Sequence, residues 1–177
     1  MKSVRVKDKT FKPYLSESEI LTKTAELAER INRDFEGKNP LFICVLNGAF
    51  MFAADLMKRV TIDCEISFIR LKSYEGTSST GNHKQIMGLT ESIEGRTIVV
   101  IEDIVDTGRT LSHLLEDLEK MAPESVSTAV LLFKPDAVEC EVKLDYVAFE
   151  IPNDFIVGYG LDFDGNGRNL NDIYVIC

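Results

Sequence analysis

The chain has 177 residues, 45% of them hydrophobic and 28% charged, which fits one globular unit with a real core. Its 20 Lys and Arg against 29 Asp and Glu leave a net charge of −9, arguing against the cationic face that broad nucleic-acid or anionic-membrane binding needs, though not against a small polyanion held by local donors. No apolar run reaches the roughly 18 residues of a membrane span, and the basic stretch 1–10 has no apolar stretch behind it, so neither a span nor a secretory signal is expected.

Ser16-Glu17-Ser18-Glu19 has the S-x-x-E capping-box form and predicts a helix with Ile20, Leu21, Leu27 and Ile31 as its apolar residues, ending near Gly37. Residues 41–46 (LFICVL) are continuously apolar, the pattern of a strand buried on both faces. Asn47-Gly48 breaks that run, and a helix is expected over 49–59. Residues 62–71 alternate as a strand. Residues 73–88 are rich in Ser, Thr and Gly without periodicity, which predicts a mobile loop at the start and a short ribbon in part. Residues 97–101 (TIVVI) form another buried strand. A helix follows Asp106-Thr107-Gly108 and runs to Met121, stopped by Pro123. Residues 126–133 and 146–149 complete the strands. Strands alternating with helices predict an α/β fold with a mainly parallel sheet, whose ligands sit at the carboxyl ends of the strands.

Four cysteines, at 44, 64, 140 and 177, form no C-x-x-C pair and read as free thiols of a reducing, cytoplasmic compartment. With only two histidines, at 83 and 113, a Cys- or His-based metal site is not expected.

The most informative segment is 98–110, IVVIEDIVDTGRT. An apolar strand ends in the acid pair Glu102 and Asp103, and Asp106-Thr107-Gly108-Arg109-Thr110 opens a helix. Amides at such a helix start can cradle a dianionic phosphate, with Gly108 admitting close approach and Thr107 and Thr110 adding hydroxyl donors. The acids can hold ribose hydroxyls, directly or through Mg²⁺, which prefers oxygen ligands. An acid pair after a strand also occurs in receiver domains of signalling proteins; the D-T-G-x-T run does not.

This segment closely resembles the phosphoribosyl pyrophosphate motif of type I phosphoribosyltransferases. Further matches follow in family order over roughly residues 40–177 and point to the hypoxanthine-guanine branch. The resemblance implies a type I phosphoribosyltransferase fold: one domain over 1–177, with a core of about 38–145 and a small hood from about 1–37 and 146–177. It implies a transferase of purine salvage that joins phosphoribosyl pyrophosphate to a 6-oxopurine. Asp106 is then the general acid/base at N7 of the base. Glu102, Asp103, Asp106, Thr107, Gly108, Arg109 and Thr110 hold the ribose phosphate. Leu46, Asn47 and Gly48 form a pyrophosphate loop with a non-proline cis peptide, although many relatives carry lysine where this chain has Asn47. Ser73 and Tyr74 close a lid over pyrophosphate, and Arg168 contacts it.

Lys134, in LLFKPD, would donate to O6 of the purine. Phe155, in FEIPNDFIVGY, would stack on the ring, and the backbone of Ile156 would meet its 2-position. Glu102, Asp103 and Asp162 would bind Mg²⁺. Homodimers or homotetramers are expected, with no nucleic-acid or membrane partner. A catalytically silent regulator on the same fold, or a transferase for another nucleobase, are the alternatives; Lys134 and the FEIP stretch point away from the second.

Overall fold

The structure is a computed structural model that describes residues 2–73 and 84–177. Its larger sheet has six strands, ordered β5-β4-β3-β6-β7-β8. These are β3 (Leu41–Leu46), β4 (Glu65–Ser73), β5 (Lys84–Met87), β6 (Thr97–Val105), β7 (Ser125–Phe133) and β8 (Tyr146–Glu150). All neighbours pair in parallel except the edge strand β5, which pairs antiparallel with β4. That ribbon is the one expected inside 73–88. The expected mobile start of the segment, with Tyr74 and His83, lies outside the described residues.

Helices cover both faces of this sheet, as the unbroken apolar strands require. α1 (Glu17–Asp34) and α2 (Phe50–Met57) bury Ile20, Leu27, Ile31, Phe52 and Leu56 against Phe42, Cys44, Val99 and Ile101. On the opposite face α3 (Arg109–Glu119) buries Leu111, Leu114 and Leu118 against Ile43, Val45, Ile98 and Val100. The capping box at α1 is complete: Ser16 accepts from the amide of Glu19, and Glu19 accepts from that of Ser16. Leu21, expected on the apolar face, is only half-buried; Thr24 and Ala28 take that face with the other apolar residues.

Two strand limits differ from expectation by three residues or more. β4 starts at Glu65 rather than 62, because its partner β3 starts at Leu41, after Pro40, which has no N–H to give a ladder. β6 runs past the acid pair to Val105, since Ile104 and Val105 still pair with Leu132 and Phe133 of β7. Asp106 is therefore the first residue beyond the strand.

A second, antiparallel sheet was not foreseen as strands. It consists of β1 (Val4–Val6), β2 (Lys9–Leu15), β10 (Ile173–Ile176) and β9 (Ile156–Val157), in that order. Val6, Phe11, Val157 and Tyr174 form its own small core. The expected hood limits, 1–37 and 146–177, do not follow the two sheets. α1 and β8 bury their apolar residues with the larger sheet, and the smaller sheet takes only segments within 4–15 and 156–176. Among the described residues no helix is long and apolar enough to cross a membrane. All four cysteines are free.

Candidate active site

The carboxyl ends of the parallel strands share one edge of the larger sheet, and the segments singled out in the sequence leave from them. Beyond β6, Val105 accepts from the amide of Lys134 at 3.0 Å, tying the ends of β6 and β7 together. Gly108 is the N-cap of α3, at φ 80°, and offers no side-chain acceptor to the first-turn amides. A pocket of about 150 Å³ opens there, lined by Glu102, Asp106, Thr107, Gly108 and Thr110 over Ile104 and Leu111. The positive end of the helix dipole and these hydroxyls would suit an anion there. Arg109 does not line it: its side chain, 69% exposed, turns away to pair with Glu139 at 2.5 Å. Glu139 also gives its amide to Thr107, and Cys140 packs its sulfur against Gly108, so segment 139–140 backs the loop. Neither residue could be found from sequence, because nothing local links them to residues thirty positions earlier.

The acid pair differs in exposure. Glu102 is buried, at 7%, and Asp103 is half-buried. Asp103 Oδ1 accepts from the amide of Ile104 at 3.0 Å, and Oδ2 lies against Gly48. A methyl on Gly48 would sit 1.6 Å from that oxygen, so any larger residue would have to displace the Asp103 carboxylate. Beneath the acids, burial first and then the charges of Glu102 and Asp103 push the Cys44 thiol up to about 12. Cys44 is thus an apolar core residue at any ordinary pH.

Leu46-Asn47, at the end of β3, is a cis peptide. Gly160 lies on the other side of this loop; a methyl there would meet the carbonyl oxygen of Gly48 at 2.0 Å. Arg168 donates through Nη1 to Gly160 O at 2.7 Å and pairs through Nη2 with Asp162 Oδ1 at 2.6 Å. Asp162 Oδ2 accepts from the amide of Gly165. Loop 46–48, Asp103, Gly160, Arg168 and Asp162 are therefore linked contact by contact. Asp162, expected at Mg²⁺ like Glu102 and Asp103, is turned to Arg168 and Gly165.

Lys134, just beyond β7, is 6% exposed, and its ammonium lies 3.1 Å from Asp106 Oδ2. Asn153 Oδ1 is its second partner, at 3.4 Å. Asn153 carries no local signal in the sequence, because it sits in an irregular turn nineteen residues from Lys134. Phe155 is 46% exposed, and its ring meets Phe163 edge-on at 5.8 Å and Phe11 at 6.3 Å. Two aromatics thus back one ring and leave part of it to solvent, as a stacking platform requires. Ile156 is buried and pairs with Val175 in the smaller sheet. Ser73 ends β4 opposite Lys84.

Residues 12–164 match the family model described as "Phosphoribosyl transferase domain". The chain is 42% identical over 166 residues to a hypoxanthine-guanine phosphoribosyltransferase of Streptococcus thermophilus, covering 93% of this chain and 92% of that one. Among solved structures it is similar to a hypoxanthine phosphoribosyltransferase of Staphylococcus aureus, with a TM-score of 0.87, 34% identity and 94% and 91% of the two chains covered. It is also similar to a hypoxanthine-guanine phosphoribosyltransferase of Bacillus anthracis, with a TM-score of 0.86, 36% identity and 98% and 100% covered.

Proposed function

We propose that this chain, which belongs to the phosphoribosyltransferase family, transfers the 5-phosphoribosyl group of phosphoribosyl pyrophosphate to N9 of a 6-oxopurine. Hypoxanthine and guanine are the substrates, inosine and guanosine monophosphate and pyrophosphate the products, and purine salvage the role. The observation that carries the reading is the Lys134–Asp106 pair, a buried donor and a half-exposed acceptor 3.1 Å apart. A 6-oxopurine presents O6 and N7 side by side on one edge. Lys134 answers O6, and Asp106 answers the N7–H of the tautomer whose N9 lone pair is free to attack.

In the transfer the N9–C1′ bond forms and the bond from C1′ to the pyrophosphate oxygen breaks. The N7 proton passes to Asp106, which acts as general base here and as general acid in reverse. The cradle at Asp106, Thr107, Gly108 and Thr110, with the backbone of Arg109, holds the 5′-phosphate. Glu102 and Asp103 orient the ribose. Leu46, Asn47, Gly48 and Arg168 hold the pyrophosphate, with Ser73, at the end of β4, beside the segment proposed to contact it. Phe155 stacks on the purine, which is worth about 1–3 kcal/mol, and the backbone of Ile156 meets its 2-position. The four-stranded sheet serves as the hood.

The donor set fits Mg²⁺. Glu102, Asp103 and Asp162 offer only oxygen, without a preformed cage, and Mg²⁺ is commonly held by one or two carboxylates, water and substrate phosphates. Bound there, it would neutralise charge on the leaving pyrophosphate. A cytoplasmic homodimer or homotetramer completes the reading. Four free cysteines fit the compartment, and Ile66 and Phe68, on one face of β4 and 38% and 46% exposed, offer apolar surface for a second copy.

The test is incubation of the purified chain with phosphoribosyl pyrophosphate, Mg²⁺ and hypoxanthine, guanine, xanthine or adenine, with the nucleotide products resolved. Inosine and guanosine monophosphate should form, with little adenosine monophosphate. No nucleotide from any base would sink the transferase reading, and preference for adenine would sink its 6-oxopurine part.

A further inference from the structure

Tyr159 is 1% exposed and takes φ 48°, a left-handed conformation that a non-glycine residue keeps only when its surroundings over-determine it. The determining contacts are on both sides of it. Its amide donates to Leu170 O at 2.8 Å, and the amide of Gly160 donates to Arg168 O at 2.9 Å. Its hydroxyl donates to Asp55 Oδ2 of α2 at 2.7 Å, inside the core cluster that α2 shares with the larger sheet. The Asp55 side chain is 19% exposed; Lys58, which pairs with its other oxygen, is 70% exposed and a weak competitor. Desolvation alone would raise the Asp55 carboxyl, but hydrogen bonds from Tyr159 and Lys58, with the charges of Lys58 and Arg59, together hold it below its ordinary range, so the acceptor is charged.

These contacts close a ring. Loop 46–48 leads directly into α2, α2 carries Asp55, Asp55 holds Tyr159, and Gly160, next in the chain, rests on the carbonyl of Gly48. Gly48 in turn rests on Asp103. The ring contains no residue of the phosphate cradle and none of the base pocket. We infer that Tyr159 and Asp55 are positioning residues for pyrophosphate: touching no substrate, they clamp loop 46–48 between the acid pair and the turn that carries Asp162 and Arg168. The inference rests on the assignment of that loop to pyrophosphate.

The experiment uses Tyr159→Phe, Asp55→Ala and Asp55→Asn in the full chain. Four quantities are measured: KM for phosphoribosyl pyrophosphate, KM for hypoxanthine, and the affinities for pyrophosphate and for inosine monophosphate, which fills the cradle, ribose and base sites but carries no pyrophosphate for loop 46–48. Tyr159→Phe and Asp55→Ala should weaken both pyrophosphate-bearing ligands about tenfold and leave inosine monophosphate and hypoxanthine within about twofold. Asp55→Asn keeps an acceptor for the hydroxyl and should stay near wild type. Unchanged pyrophosphate binding in the first two variants overturns the inference, and so does equal weakening of all four ligands, which marks a merely structural bond. Should Tyr159→Phe not fold, the two Asp55 variants decide alone. Wild-type protein without phosphoribosyl transfer overturns the functional assignment and this inference with it, whereas active wild type with indifferent variants overturns this inference alone.

Discussion

A buried ammonium facing a half-exposed carboxylate is a poor device for stability and a good one for recognition. Lys134 is 6% exposed and Asp106 is 49% exposed at its side chain. A pair open to solvent on one side contributes little to folding, yet it holds a donor and an acceptor at fixed spacing. Lys134→Ala should therefore damage the use of hypoxanthine and guanine by about a hundredfold in kcat/KM, because a charge-assisted hydrogen bond is lost. Adenine gains nothing from that ammonium and should change little, so the gap between the bases narrows. Initial rates with each base decide, and unchanged ratios would rule out Lys134 as the selector. At this scale the sequence was most legible where the chemistry is contiguous. Glu102 to Thr110 could be read as one run. Asn153 and Glu139 could not, since each reaches the site only through the tertiary fold.

At the scale of elements, legibility followed burial. β3, β6 and β7 are buried on both faces and stood out as apolar runs, whereas β1 and β2, partly exposed and interrupted by polar residues, carried no such signal. The joint between α1 and β8 was also invisible, although one bond defines it: the Tyr146 hydroxyl donates to Asp34 Oδ2 at 2.8 Å, with Arg30 5.0 Å over the ring. Burial first, and then the bond to Asp34 and its charge, raise the Tyr146 phenol above its ordinary range, with Asp145 adding to this and Arg30 opposing it. A raised value means the folded chain keeps a proton that the unfolded chain releases above about pH 10. The stabilisation is thus complete below that pH and declines as pH rises further. Tyr146→Phe should cost about 1 kcal/mol near neutrality and flatten the alkaline decline. Urea midpoints from pH 7 to 11 measure both, and parallel curves for the two proteins would show that Tyr146 does not carry the alkaline dependence.

For the molecule as a whole, alternation of strands and helices gave the larger sheet, because a parallel strand buried on both faces announces itself locally. The smaller sheet joins β2 to β10, which lie some 160 residues apart and pair antiparallel, so nothing in either segment alone points to the other. Both sheets contribute to the site: the larger one supplies Glu102, Asp103 and Asp106 at its strand ends, and the turn between β9 and β10 supplies Asp162 and Arg168. That distribution sets an electrostatic problem. The chain carries a net charge of −9, and the proposed substrate is itself highly anionic. Arg168 is already paired with Asp162, and Lys134 with Asp106. On the proposed reading the α3 N-terminus would offset only the 5′-phosphate. A divalent cation held by the acids would resolve the remaining repulsion. Exhaustive chelation should therefore abolish turnover, with activity returning on addition of Mg²⁺. Titrating Mg²⁺ at fixed phosphoribosyl pyrophosphate should show the apparent KM for that substrate falling as metal rises, while binding of hypoxanthine to the free protein stays indifferent to the metal. Full turnover in the presence of excess chelator would mean that the acids act through the ribose hydroxyls alone, and that the pyrophosphate leaves on the strength of Arg168 and the backbone of loop 46–48.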